Sequence, residues 1–251
     1  MNIVKYNSSY LKKWNQFVAE SKNGTFLLDR NFIEYHSDRF EDFSLMIYNN
    51  SDVLKALLPL SIHDNEVISH GGLTYGGFII QHNLNTADML EIFESVIKFI
   101  KDNEIVTLSY KAIPHIYHLR PSEEDLYGLF RNGFKLVRRD VSSSINMRTT
   151  KIKGQKQNGY KKAIREGLEL QETVDCSDIL TIVNRSLLEK YGVNSVHTSV
   201  EMNLLKNKFK KNILFFNLII NQNVEGGMIL FIDNNVVHAQ YITTTYIAKR
   251  C

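Results

Sequence analysis

The chain has 251 residues, of which 43% are hydrophobic and 23% are charged, and its formal net charge is +3. This composition excludes a disordered chain and leaves room for one large or two ordinary domains. The two cysteines, Cys176 and Cys251, provide neither a disulfide framework nor a metal site. The N-terminus lacks the apolar core of a signal peptide, and no apolar run reaches the roughly 18 residues of a membrane helix. A cytoplasmic protein without stable membrane insertion is therefore expected.

The first part of the chain alternates between apolar patterns of helical and of strand spacing. Strands are predicted at residues 2–6, 43–48, 53–62, 75–80 and 105–110, the last of them buried, and helices at 11–18, 31–39, 86–100 and 122–130. Gly133 lies where a left-handed helix cap belongs, with Phe134 behind it. A strand pair at 134–139 and 142–147 is expected to complete a first domain over residues 1–150.

The second part, residues 151–251, begins in a basic stretch. In its predicted helix Tyr160, Ala163 and Ile164 share one face, and the cations lie on the other. A strand at 168–173 and a helix at 179–188 follow, and Thr198 with Glu201 forms a capping-box pair before another helix. Strands at 213–220, 226–233 and 236–243 read as an antiparallel meander. No closing helix is predicted after them, so this domain is expected to be incomplete at its C-terminal side.

Helices followed by an antiparallel meander in each half indicate a mixed α/β, α+β-like fold. Six segments resemble tandem GNAT-superfamily acyltransferases of the Fem aminoacyltransferase type, and related N-acetyltransferases found with bacterial surface-polysaccharide genes. They are NGTFLLDRNFIEYHSDRF (23–40), SHGGLTYGGFII (69–80), YKAIPHIYHLRPSEEDLYGLF (110–130), KKAIREGLEL (161–170), HTSVEMNLLKNKF (197–209) and VVHAQYITT (236–244). The resemblance implies two GNAT-like domains with largely antiparallel central sheets, a transfer site in a cleft and an activated acyl donor.

Three functions follow from this resemblance. The first is an acyl-CoA-dependent N-acyltransferase, with acetyl-CoA or another acyl-CoA as donor, acting on an amino sugar or similar amine in surface-polysaccharide biosynthesis. Its partner would be a small molecule or a nucleotide sugar. The second is a Fem-like transferase that uses aminoacyl-tRNA to build peptidoglycan bridges; the weak net charge argues against tRNA. The third is an inactive remnant or a non-catalytic binding module.

The last strand, 236–243, carries the candidate catalytic residues. Alternation predicts that His238 and Gln240 share one face of the sheet and that Tyr241 lies on the other. His238 and Gln240 could orient or deprotonate an amine acceptor, and the resemblance implies that Tyr241 protonates a leaving thiolate. The alternative is that His238 only completes a polar sheet face. The next residues lack the glycine-rich turn on which this superfamily binds the donor pyrophosphate.

Further candidate substrate-binding residues lie in the first domain. The stretch 69–77 has four glycines together with His70 and Tyr75, which suits either a substrate cleft or the entrance of a bulged hairpin. Tyr110, Lys111 and His115 could line a pocket or cap the core. No metal is expected, because His115 lacks further ligands at metal-binding spacing.

The densest group of cations is Lys153, Lys156, Lys161, Lys162 and Arg165. Lys161, Lys162 and Arg165 could bind the phosphates of a donor or of a nucleotide sugar through charge-assisted hydrogen bonds. The alternative is a solvated helix face.

Overall fold

A computed structural model describes residues 1–151 and 153–250. The chain divides into two compact units, Met1–Val137 and a second that begins at Arg138. Both are mixed α/β with antiparallel sheets, as the sequence predicts. The assignment of residues 1–150 and 151–251 to two GNAT domains stays a prediction. In the described part of the chain, none of the helices has the length and apolarity needed to cross a membrane.

The first unit contains two four-stranded sheets and four α-helices. In chain order the elements are β1 Asn2–Lys5, α1 Leu11–Glu20, α2 Arg30–Ile33, β2 Glu41–Asp42, β3 Leu45–Tyr48, β4 Leu54–Leu58, β5 Ser61–His63, β6 Glu66–Ile68, β7 Ile79–Ile80, α3 Thr86–Asp102, β8 Thr107–Ser109 and α4 Glu124–Arg131. One sheet has the order β1-β3-β4-β7 and is antiparallel; the other has the order β2-β5-β6-β8, in which β6 and β8 are parallel.

Helix α3 supplies the middle of the first core. It starts at Asn85, whose side chain accepts a hydrogen bond from the Asp88 N–H at 2.9 Å and so caps one of the unpaired amides. Its apolar stripe packs against the buried strands β3 and β4. The buried members of this stripe are Met89, Ile92, Phe93, Val96 and Ile100.

The second unit has one antiparallel sheet of order β12-β11-β10-β9. Its elements are α5 Gln155–Arg165, β9 Glu169–Thr173, α6 Ser177–Tyr191, α7 Ser199–Lys208, β10 Ile213–Ile220, β11 Asn223–Asp233, β12 Val236–Thr244 and α8 Tyr246–Arg250. Helices α6 and α7 pack on the sheet face that carries Phe215 and Ile229, both fully buried. The predicted capping box of Thr198 and Glu201 is confirmed.

Several predicted boundaries in the first unit are wrong for local reasons. The strand 53–62 breaks into β4 and β5 because Pro59 has no N–H for a ladder. The helix 31–39 is only α2 followed by a 3-10 turn at Glu34–His36. Of 75–80 only Ile79–Ile80 is a strand, and β8 is short and largely exposed instead of buried.

Two larger predictions also differ from the structure. Residues 134–139 and 142–147 form no strand pair, because side chains such as Val137 and Val141 are exposed and no apolar face is buried to stabilise one. A short helix, α8, does follow the last strand, contrary to prediction. Gly133 does adopt the predicted left-handed conformation, with a φ of 72°.

Candidate functional site

A β-bulge in β12 decides which side chains meet in the second unit. His238 pairs with Phe231 and Tyr241 pairs with Ile229, so four residues of β12 lie opposite three of β11 and Gln240 is the extra one. Phe231 and Ile229 are two positions apart and therefore point to one face of the sheet. His238 and Tyr241 share that face, and the predicted separation of these two residues is wrong.

Tyr241 makes a side-chain contact that ties β12 to the segment between α6 and α7. Its Oη lies 2.8 Å from Nδ1 of His197, and the two rings meet edge-on with centroids 5.8 Å apart. His197 is buried, whereas Tyr241 is half-buried. The distance allows one proton to be shared between the phenol and the imidazole.

The backbone around His197 is held on both sides. Ser195 N–H donates to the Asn184 side chain at 2.7 Å, and Ser195 Oγ donates to the His197 carbonyl at 2.8 Å. On the other side Thr198 donates its N–H to Glu201 at 2.7 Å within the capping box. These bonds position the imidazole before any ligand binds.

Burial shifts the pKa values of Tyr241 and His238 in opposite directions. It raises the pKa of Tyr241, although hydrogen bonds from the His197 and Val196 backbone and from Gln240 oppose the rise. Desolvation of the ring lowers the pKa of His238, although the residue is exposed and a hydrogen bond with Gln240 acts in the opposite direction. At neutral pH Tyr241 therefore carries its proton and His238 is uncharged. An acid and a base are present on one strand.

A cavity of about 650 Å³ lies at the far end of the same strand. It is bounded by the start of α6, the turn before β11 and the start of α8, through residues that include Asp178, Arg185, Glu225 and Thr245. Thr245 donates its N–H to the backbone carbonyl of Glu225 at 2.8 Å and its hydroxyl to the Glu225 carboxylate. The Glu225 carboxylate therefore lies at the start of α8, where like charge would repel a phosphate group.

His70 and Lys111, both predicted to bind substrate, are brought together in the first unit. The Lys111 ammonium donates to the carbonyls of His70, at 2.5 Å, and of Leu73. Burial lowers the pKa of Lys111 to about 8 and that of His70 to about 3. Lys111 therefore stabilises the glycine-rich turn from within, and His70 is buried and neutral.

The other predicted residues of the first unit lie in different surroundings. Tyr75 is buried and donates to the Thr25 hydroxyl at 3.1 Å. Tyr110 is half-buried and donates a hydrogen bond to Asp125 at 2.6 Å. His115 is exposed in a 3-10 turn. Substrate binding by these side chains stays a prediction.

The cations of α5 remain on the surface. Lys161, Lys162 and Arg165 are exposed, and no residue of the helix is buried. Lys162 forms an ion pair with Glu166 at 3.6 Å. Phosphate binding by these residues stays a prediction. No group of three or more metal-binding side chains occurs among the described residues.

Sequence reasoning did not single out His197. The sequence signal that could have pointed to His197 is its position directly before the capping box of Thr198 and Glu201, which fixes the backbone at the start of α7. Its partner is 44 positions away, so no local pattern joins the two residues.

No protein-family model and no curated protein sequence matches this chain. Solved structures do resemble it. The crystal structure of FemX has a TM-score of 0.60 and 8% identity, over 98% of this chain and 81% of FemX. The C-terminal DUF2156 domain of a protein described as a lysylphosphatidylglycerol synthetase, from Agrobacterium fabrum, has a TM-score of 0.53 and 11% identity, over 96% of this chain and 70% of that one.

The structure of L-PGS from Bacillus licheniformis has a TM-score of 0.56 and 10% identity, over 96% of this chain and 69% of that one. At such identities the likeness concerns the fold. The chain thus has a fold similar to that of FemX, of the DUF2156 domain and of L-PGS.

Proposed function

We propose that this chain transfers an acyl or aminoacyl group to an amine, and that the His197–Tyr241 pair carries the proton chemistry. The observation that supports this most is the 2.8 Å contact between the two side chains, on the sheet face that also carries His238. Acyl transfer to an amine needs an uncharged nitrogen and a proton for the leaving group. Uncharged His238 can take the proton of the amine, and protonated Tyr241, which contacts His197, can give one to the leaving group.

The proposed steps conserve every proton. His238 takes a proton from the acceptor ammonium, and the free nitrogen attacks the donor carbonyl, forming the C–N bond. The bond from carbon to the leaving sulfur or oxygen then breaks, and Tyr241 gives its proton to that atom. His197 gives a proton to the Tyr241 phenolate and takes one from solvent in its place. Solvent takes the remaining proton of the nitrogen and the proton held by His238, so both imidazoles return to their starting state and the net reaction releases one proton. The fold similarity to FemX, to the DUF2156 domain and to L-PGS supports this class of reaction.

Two donors are candidates. The first is acetyl-CoA or another acyl-CoA, with an amino sugar of a surface-polysaccharide precursor as acceptor. The second is an aminoacyl-tRNA ester, with a peptidoglycan precursor as acceptor. The fold similarity to FemX and to the other two structures supports both donors alike, and the transfer assay distinguishes them.

A transfer assay with labelled donors tests the proposal. The purified chain is incubated with acetyl-CoA or with aminoacyl-tRNA and with amine acceptors that include a UDP-linked amino sugar. We expect acylated amine from one donor, and for Tyr241→Phe a kcat lower by roughly 10²–10⁴ with KM little changed. Tyr191→Phe, which alters an exposed tyrosine of the same unit, is the matched control.

Two outcomes contradict the proposal. One is product formation at the original rate by Tyr241→Phe. The other is the absence of product from both donors, which would leave a binding module or an inactive chain. Acetyl-CoA at well above micromolar concentration should also raise Tm if it is the donor, and an unchanged Tm would exclude it.

A further inference from the structure

The charge of this protein is distributed very unevenly. Residues 138–165, here called the basic segment, contain nine Lys or Arg side chains and a single acidic one, Asp140. The segment therefore carries +8, whereas the whole chain carries +3, so the remaining residues carry −5. Such a local excess of positive charge attracts a polyanionic partner. The attraction decays over about a Debye length, roughly 8 Å at physiological salt.

The same segment exposes large apolar side chains. Val141 is 95% exposed, Met147 74%, Tyr160 67%, Ile145 63% and Ile164 51%. Single exposed apolar residues are ordinary on a protein surface, but five of them among nine cations are not. The partner of the basic segment is therefore expected to offer an apolar region as well as negative charge.

Helix α5 has the pattern of a helix that lies at an interface. Tyr160 and Ile164 are one turn apart on one face, while Lys161 and Arg165 point elsewhere. The helix buries none of its residues against the rest of the protein. A short amphipathic helix in water obtains its stability from packing of its apolar face, and α5 leaves that face available.

We propose that the basic segment docks the second unit onto the surface of a bilayer that contains anionic lipids. The cations would contact lipid headgroups, and Tyr160 and Ile164 would enter the boundary between headgroups and acyl chains. RNA is the other polyanion of this kind. It is disfavoured because RNA recognition uses stacking on aromatic side chains, and Tyr160 is the one aromatic residue of the segment. This inference does not depend on the proposed transfer reaction.

Vesicle flotation tests the proposal with the full chain. The probes are vesicles of phosphatidylcholine alone and vesicles that also contain phosphatidylglycerol, at low and at physiological ionic strength. We expect flotation with the anionic vesicles only, weakened by salt. The double variant Lys153→Gln/Lys161→Gln should lower the partition coefficient about 25-fold, about fivefold for each cation. Lys210→Gln/Lys211→Gln, which alters two exposed lysines outside the segment, should leave it nearly unchanged.

A second pair of variants separates a bilayer from other polyanions. Tyr160→Ser/Ile164→Ser keeps every charge and should lower flotation at least tenfold, whereas Val200→Ser/Leu204→Ser, at the same spacing on α7, should not. Circular dichroism of each variant verifies that it is folded.

Any of four results overturns the proposal. They are equal flotation with both kinds of vesicle, no flotation with anionic vesicles at low salt, unchanged flotation of Tyr160→Ser/Ile164→Ser, and salt-dependent retention on RNA without flotation. The transfer assay is done in solution, so failure of either proposal leaves the other intact.

Discussion

Half-buried Tyr110 and buried Asp125 form a hydrogen-bonded pair that connects α4 to the end of the glycine-rich turn of the first unit. Tyr110 Oη donates to Asp125 Oδ2 at 2.6 Å and accepts from the Phe78 N–H at 2.7 Å. Burial raises the pKa of both side chains. Gly77 allows this approach, since a Cβ there would come within 2.6 Å of the phenol oxygen. Tyr110 therefore organises the end of the glycine-rich turn, for which the sequence allows either a substrate cleft or the entrance of a bulged hairpin.

Removing the Tyr110 hydroxyl should destabilise the protein. In Tyr110→Phe the buried Asp125 loses a donor and the Phe78 N–H loses its acceptor. We expect a loss of about 2–4 kcal/mol, measured by urea unfolding. Tyr127→Phe on α4 removes a half-exposed hydroxyl and should cost less than about 0.5 kcal/mol. Equal effects of the two substitutions would contradict this role.

The buried His70 should make stability depend on acid pH. Burial and the neighbouring His36 lower its pKa from 6.5 to about 3 in the folded protein. Between these values the unfolded chain binds more protons, so stability is present above pH 6.5 and is lost as the pH falls, by about 1.4 kcal/mol per unit.

His70→Asn should remove this pH dependence, and asparagine tolerates the positive φ of 42° at this position. His63→Asn, at an exposed histidine, should retain the pH dependence of the original chain. The measurement is the free energy of unfolding between pH 4 and pH 7. A slope that is the same in His70→Asn and in the original chain would exclude His70 as its cause.

Alanine substitutions at Gly128 and Gly159 should have opposite effects on stability, because their surroundings differ. A Cβ at Gly128 of α4 would come within 2.3 Å of the Phe93 ring, which is fully buried and cannot move away. Gly128→Ala should therefore destabilise by about 1–3 kcal/mol. At Gly159 of α5 nothing lies within 4 Å, so Gly159→Ala should stabilise that helix by about 0.5–1 kcal/mol. Thermal unfolding and helical circular dichroism compare the two; a loss of helicity in Gly159→Ala would count against the assignment of α5.

The cap at Thr198 should influence activity through the orientation of His197. Thr198→Ala removes the hydroxyl that accepts from the Glu201 N–H, with a cost of about 1 kcal/mol. If the transfer reaction uses His197, kcat should fall together with stability, and Thr198→Ser should restore both. Restored stability without restored kcat would mean that the cap does not position the imidazole.

Much of the helical structure could be predicted from the sequence because its signals are local. The apolar stripe of α3, the capping box at Thr198 and the left-handed Gly133 depend on residues within a few positions of one another. The mixed α/β class and the antiparallel meander follow from the same local patterns. The strand pair expected over 134–147 shows the limit, because strand propensity forms a sheet only where a face is buried.

The candidate site depended on tertiary structure. The residue types of β12 are visible in the sequence, but simple alternation places His238 and Tyr241 on opposite faces. The bulge at Gln240 places these two side chains on the same face. It arises from the pairing of β12 with β11, which the sequence of β12 does not reveal. Tyr241 meets His197 because the chain returns to this strand after 44 positions, a contact fixed by packing of α6 and α7 on the sheet. Sequence alone therefore determined which groups were available, and tertiary pairing decided which of them meet.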